Sequence, residues 1–177
     1  TAEAKLHLRI DHADEDSFID AKVRAATYKA EDYLRRAFLS QTWVLTLDRF
    51  PAWTIFAPRP PFLAVSSIAY VDTDGTTQTL SSLLYRATTN GTPGRITPAY
   101  GEVWPTVRNQ TDAVTITYTA GYGTAKDNVP EQIRDGVRLI LGALYKGRDE
   151  TVEIPKQAFW LIDGFKTKDW MYANLDC

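Results

Sequence analysis

The hydrophobic pattern of this chain changes its period twice, and that change constrains the fold more than any other feature. Apolar residues recur at helical spacing along Asp14–Leu39, after a shorter helical stretch at Ala2–Leu8. From Ser40 the pattern is that of short strands, and near Pro130 helical spacing returns and continues to Gly147. Helices, then strands, then helices again are typical of an α+β fold.

The strand-like part occupies residues 41–123. Its clearest segment, Val114–Tyr118, places Val, Ile and Tyr on one face and threonines on the other. Trp43–Leu47 alternates in the same way, and Asp74-Gly75 is a typical hairpin turn. We therefore predict an antiparallel β-rich unit inserted between the helical parts.

Both long helices carry signals for their first turn. Ser17 with Asp20 fits a capping box at the start of the first helix. Asn128 is the predicted N-cap of the later helix, with Pro130 in its first turn. These signals predict where each helix begins.

The length of 177 residues and the 44% hydrophobic content are enough for one domain with its own core. We expect a single domain over residues 1–177. Its helical bundle core is predicted at about 1–40 and 124–177, with the β-rich insertion at about 41–123. On the second helix, Gly136 and Ala143 share one face, and Gly136 permits close approach of another backbone. That backbone belongs either to this chain or to a neighbouring subunit.

Charge and cysteine content exclude several classes of protein. Twenty Lys and Arg against 22 Asp and Glu give a net charge of −2, which argues against direct nucleic-acid binding. No stretch approaches the roughly 20 apolar residues of a membrane-spanning helix, and the first residues do not resemble a signal peptide. The single cysteine, Cys177, excludes an intrachain disulfide. We expect a soluble intracellular product.

Residues for catalysis or metal binding are scarce. His7 and His12 are the only histidines, and no nucleophile elbow, phosphate-binding loop or dinucleotide-binding turn is present. Acidic residues surround His12, but an acidic helix start that complements the helix dipole explains them without a metal. We expect no enzymatic activity, no metal and no cofactor.

Aromatic residues leave a second function open. They make up 12% of the chain, and several lie in the β-rich part: Trp43, Trp53, Tyr70, Tyr85, Tyr100 and Trp104. Aromatic platforms on sheets bind sugars, whereas aromatics in a small β unit more often form a core or a subunit interface. A carbohydrate-binding module is therefore an alternative.

Several stretches occur in a characteristic order: Ala2–Asp11 before an acidic helical run, Gln41-Thr42-Trp43, Pro58–Pro61 leading to Val65–Ile68, Pro93–Ile96, Trp104-Pro105, Val114–Gly123 and Val129-Pro130. Because of the order and spacing of these stretches, residues 2–150 resemble the head–tail connector (adaptor) proteins of tailed bacteriophages. Other head-completion or tail-terminator components are a further alternative. Those are built mainly from strands, so the two long helices count against them.

The resemblance implies a structural virion protein at the head–tail interface, assembled in the host cytoplasm. It implies a ring of twelve copies that docks on the portal protein, extends the DNA channel without sequence-specific binding, and receives the next connector, stopper or tail component. It also implies no membrane partner. By the same analogy, the candidate portal or inter-subunit contacts are Phe159, Trp160, Phe165, Trp170 and Tyr172, together with Gly136 and Ala143. Burial of these aromatics against the chain's own helices is the competing interpretation.

Overall fold

The computed structural model describes residues 2–147 and 153–167, and these form four helices and seven strands. The helices are α1 (Ala2–Leu8), α2 (Asp16–Leu34), α3 (Glu131–Lys146) and α4 (Lys156–Ile162). The strands are β1 (Gln41–Leu47), β2 (Ile55–Ala57), β3 (Phe62–Val71), β4 (Thr77–Thr79), β5 (Tyr85–Thr88), β6 (Gly94–Pro98) and β7 (Val114–Ala120). The predicted α+β class with antiparallel strands is confirmed.

The chain divides into two compact units. The helical unit is built from residues 1–35 and 125–166, and the β unit is built on residues 36–124. Within the helical unit, α3 packs against each of the other three helices. The apolar face of α3 is buried, and so is the apolar face of α2 at Ile19, Ala26, Ala30 and Leu34.

The first long helix is shorter than predicted. It begins at Asp16 rather than Asp14, and it ends at Leu34 because Arg35 adopts a left-handed conformation with φ 52°. The predicted capping box is wrong, since Glu15 is the N-cap and no side chain caps the first turn. The N-cap of α3 is Pro130 rather than the predicted Asn128. The Asn128 side chain instead accepts a bond of 3.0 Å from the Ala125 N–H.

The larger sheet of the β unit has the strand order β1-β7-β3-β4, and every neighbouring pair is antiparallel. The central strand β7 alternates between buried and half-buried residues, as its sequence predicts. Its buried face, which includes Ile116 and Tyr118, joins the core of the unit. The Tyr118 hydroxyl, which would otherwise be costly to bury, donates a 2.7 Å bond to the Pro58 carbonyl.

A second sheet with the order β2-β6-β5 covers the same core. It meets the larger sheet closely at Gly94, where a Cβ atom would overlap the Phe62 side chain. Ile55 and Ile96 form a cross-strand pair, and both are fully buried. The β unit is therefore two small antiparallel layers around one apolar core.

The first and last segments of the β unit lie side by side. Leu39 and Gly123 form a parallel bridge, and the Ser40 N–H donates to the Gly123 carbonyl at 2.9 Å. Next to them, Gly121 has φ 138°, and a Cβ atom there would overlap the Leu39 carbonyl. The glycine is thus required for this close approach of the two segments.

Candidate assembly surfaces

Two adjacent aromatic residues on α4 have opposite environments. Phe159 is half-buried, and its ring packs against Tyr33 of α2 with 4.6 Å between the ring centroids. Trp160 is the next residue, and because successive helical residues point about 100° apart, its side chain lies on another face and is 81% exposed. Of this predicted pair, Trp160 alone presents its ring to solvent.

The environment of Tyr33 explains why Phe159 is held in place. The Tyr33 hydroxyl donates a 2.6 Å bond to the Asp163 carboxylate, and this bond raises the pKa of Tyr33 above its usual value. On the same ring, the Lys166 ammonium lies 4.4 Å from the centroid, within the range of a cation–π contact. Tyr33 therefore ties α2 to the segment that follows α4.

The other predicted contact residues fall in different places. Gly136 is buried, and a Cβ atom there would overlap Ile162 of α4, so its close approach occurs within this chain. Ala143 lines an open groove beside α1, and Phe165 is half-buried. Trp170 and Tyr172 lie outside the described residues.

A cluster of charged residues joins α1 to α3, and sequence reasoning missed it. Glu3 of α1 accepts hydrogen bonds from Arg138 of α3 and from Lys126. Arg138 also donates to Glu131 at 2.8 Å and to Asp135. Hydrogen bonds from Arg138 and Lys126 lower the pKa of Glu3 to about 2, so the carboxylate stays ionised and accepts bonds only.

Part of this cluster was visible in the sequence. Glu131 and Arg134 are three residues apart on α3, as are Asp135 and Arg138, and such pairs meet on a helix surface. The contribution of Glu3 had no such signal, because it comes from a helix more than a hundred residues away in sequence. The charged side chains of the cluster bond to one another, and the lowered pKa of Glu3 makes this carboxylate unsuited to act as a general acid.

The aromatic residues of the β unit mostly pack on one another. The Phe50 and Trp104 rings stack with centroids 4.9 Å apart and an interplanar angle of 5°. The Trp104 indole N–H donates a 2.9 Å bond to the Trp53 carbonyl, while the Trp53 side chain is 56% exposed at the edge of a shallow cleft. Trp43 lies beneath the Arg59 guanidinium at 5.3 Å. Phe50, Trp104 and Trp43 thus use their rings for packing, whereas the side chains of Trp53 and Tyr100 are exposed to solvent.

The described residues include neither a metal-binding group nor a membrane-spanning helix. Within that part of the chain, no group of three or more His, Cys, Asp or Glu lies close enough to hold a metal ion. In the same part, no helix is long and apolar enough to cross a membrane.

The sequence itself then gives a match. Residues 2–59 match the family model of the phage gp6-like head-tail connector proteins. The resemblance to head–tail connectors is confirmed by this match, which covers α1, α2, β1 and β2. No curated protein sequence matches the chain.

Solved structures share this fold over most of both chains. A chain in the neck of an empty GTA particle computed with C6 symmetry has a TM-score of 0.81 and 24% identity, covering 94% of this chain and 88% of that one. A chain in the virion of the native gene transfer agent particle has a TM-score of 0.80, with the same identity and coverage. A chain in the neck of the native GTA particle computed with C12 symmetry has a TM-score of 0.78 and 24% identity, covering 94% and 87%. The sequence match is thus to head–tail connectors, and the structural similarity shows a shared fold.

Proposed function

We propose that this protein is a head–tail connector subunit of a tailed phage or phage-like particle. In this proposal, copies of the chain form a ring of twelve on the portal protein, extend the DNA channel, and present a platform to the next connector or tail component. The match of residues 2–59 to the connector family carries the proposal. The fold agrees with it, because similar chains occur in particle necks computed with sixfold and twelvefold symmetry.

The chemistry of the described residues supports a structural role. The charged cluster around Arg138 is satisfied within the chain, and the Phe50, Tyr70 and Trp104 rings of the β unit pack on one another. The net charge of −2 suits a channel wall that DNA passes without adhering, because phosphate binding needs a basic surplus. Assembly in a ring needs only repeated contacts between copies, each between two different surfaces of the chain.

Trp160 is the proposed contact to the portal or to a neighbouring subunit. Its ring is 81% exposed, on a helix that is held at another face by the contact between Phe159 and Tyr33. An exposed tryptophan on a rigid element is typical of residues that dominate protein interfaces. Phe165, Trp170, Tyr172 and Ala143 remain candidates for the same contact, whereas Gly136 contacts Ile162 of its own chain.

The test is to delete this gene from a phage or prophage that carries it and to image the lysate by electron microscopy. We expect filled heads without tails beside complete free tails, and restoration of tailed particles by the wild-type gene supplied in trans. Normal tailed particles from the deletion strain would contradict the proposal.

A further inference from the structure

The four-stranded sheet of the β unit has an outer face without charged residues. Three rows run across it through paired strands, and one of them joins Thr46 of β1, Thr115 of β7, Ala69 of β3 and Thr79 of β4. Directly paired residues point to the same face of a sheet, so each row shares one side. The other two rows are Val44, Thr117 and Ser67, and Thr42, Thr119 and Ala64.

This face carries hydroxyl groups and small apolar side chains but no charge. Charges on the solvent side of an antiparallel sheet and on its edges discourage pairing with other chains. Here Val44 is 60% exposed in the middle of β1, and Thr42 and Thr46 beside it are exposed as well. Nothing in these rows would repel a second, similar surface.

The edge strand β1 has none of the features that protect the edges of natural sheets. It is seven residues long, has no charge, proline or glycine, and pairs with β7 without a bulge. Among the described residues, no strand lies on its other side. The outer strands of the second sheet are shorter, with three residues in β2 and four in β5. An edge like β1 is expected to be covered by another strand.

The opposite edge of the same sheet, β4, offers a matching strand. Asp72 N–H donates to the Thr76 carbonyl, and Leu80 N–H donates to the Ile68 carbonyl. Because bonded residues alternate in an antiparallel pair, the N–H and C=O groups of Thr77 and Thr79 point away from β3. These two residues are exposed and uncharged.

The turn before β4 holds this short strand in place. The Asp72 carboxylate accepts bonds from the backbone N–H groups of Asp74 and Thr76 at 3.1 and 2.9 Å, and from the Gln78 side chain at 2.9 Å. A strand of only three residues would otherwise fray, whereas this one is anchored at its start. It can therefore present Thr77 and Thr79 to a neighbouring chain at little cost in ordering.

We propose that β4 of one subunit pairs with β1 of the next, so that the four-stranded sheets of neighbouring copies join edge to edge; this rests on the proposed ring. Three antiparallel steps separate β1 from β4, so the two edge strands run in opposite directions. A neighbouring subunit related by rotation about the ring axis can thus place its β4 beside β1 in antiparallel orientation. The strands of the joined sheets then continue to alternate in direction. The two edges differ, as an interface that closes a ring rather than a two-fold dimer requires.

Engineered disulfides in purified particles test the pairing. In a Cys177→Ser background, Thr79→Cys is combined in turn with Thr42→Cys, Val44→Cys and Thr46→Cys, which all lie on the outer face. Paired Cβ atoms on neighbouring strands are about 4.5–5.5 Å apart, close to the separation that a disulfide needs. We expect at least one pair to give a ladder of covalent multimers on a non-reducing gel, while each single-cysteine variant stays monomeric.

Three outcomes would count against the proposal in distinguishable ways. Particles with attached tails that contain the protein but give no ladder for any pair would overturn the edge pairing and leave the connector role intact. A covalent dimer from a single cysteine on β1 would show two-fold pairing of β1 with itself, which also overturns it. Absence of the protein from purified particles would overturn the connector role and the pairing together.

A charge at the β1 edge provides a second test. Val44→Lys adds a solvated ammonium to the exposed side of the strand, as protected edges do. We expect about a tenfold loss of tailed particles, equivalent to a tenfold weaker contact, with an unchanged circular dichroism spectrum. Val103→Lys, at an exposed position away from the sheet, is the matched control and should assemble normally. Equal assembly by both variants would overturn the edge pairing.

Discussion

The helical unit and the β unit differ in the charged side chains on their surfaces. On the helical unit, Arg138 and its neighbours on α3 pair with acidic residues of the same unit, including Glu3 from the first helix. On the β unit, the outer face of the larger sheet has no charges, and its edge strand β1 lacks protection. The charged side chains on α3 are thus paired within the chain, whereas the outer face of the larger sheet has no charges to pair.

The two cores differ as well. The helical unit buries small residues at its helix contacts, with Gly136 against Ile162 and Ala158 of α4. The β unit buries branched and aromatic side chains between two sheets, among them Ile116 and Tyr118. An added methyl group at Gly136 would overlap Ile162, whereas removal of atoms at Ile116 would leave a cavity in the core of the β unit.

The largest effect is expected from Ile116→Ala in the β unit. Ile116 is fully buried on the central strand, so its truncation should lower the free energy of unfolding by about 2–5 kcal/mol. Urea-induced unfolding measures this difference. Val44→Ala, on the exposed face of the neighbouring strand, should change stability by no more than about 0.5 kcal/mol. Equal effects of the two variants would contradict the assignment of the inner and outer faces.

Alanine substitutions at two glycines of α3 are expected to have smaller effects on stability, and these effects should be opposite in sign. Gly136→Ala should destabilise the protein by about 1–3 kcal/mol, since the new methyl group overlaps Ile162. At Gly142 a Cβ atom would lie 3.6 Å from the His7 imidazole, an ordinary contact. Gly142→Ala should therefore stabilise by up to about 1 kcal/mol through helix propensity. Thermal unfolding of both variants distinguishes them, and stabilisation by Gly136→Ala would refute the close contact with α4.

The charged cluster should contribute a pH-dependent term of about 0.5–1 kcal/mol, since it is partly exposed to solvent. The pKa of Glu3 is about 2 in the folded protein, below its ordinary value of 4.5. The stabilisation is therefore fully present above pH 4.5 and is lost as the pH falls towards 2. Glu3→Gln should be less stable than wild type at pH 7, and the difference should vanish near pH 2. Glu102→Gln, an exposed glutamate of the β unit, is the control, and a difference independent of pH would contradict the role of Glu3.

The smallest effect on stability is expected from Trp160→Ala, at most about 0.5 kcal/mol, because the side chain is exposed. The same change should reduce the number of tailed particles when it replaces the wild-type gene in a deletion strain. Phe159→Ala, one residue away, should instead destabilise the protein through loss of its contact with Tyr33. Normal particle numbers with Trp160→Ala would remove this residue from the proposed contact.

Elements with a long regular pattern were predictable from the sequence. The alternation in Val114–Tyr118 and the helical spacing after Pro130 appear in the structure as β7 and α3. The short strands β2, β5 and β6 were not predicted, because three to five residues carry too little periodicity to distinguish a strand from a loop. Their conformation depends on pairing with one another and on packing over the core.

The helix ends and the contact residues show why other features could not be predicted from the sequence. The pattern alone extended the first helix to Leu39, but Arg35 turns left-handed and the following residues enter the β unit. Gly136 was recognised as a point of close approach, yet spacing could not identify Ile162 as its partner. For Phe159 and Trp160 the sequence offered two equivalent aromatics, and only the position of Tyr33 separates them.

The bridge between Leu39 and Gly123 brings the entry and exit of the β unit together at a single place. A module whose two ends meet can be exchanged for another of different size without moving the scaffold that carries it. A β unit of another size can therefore be joined to the same helices through these two adjacent segments.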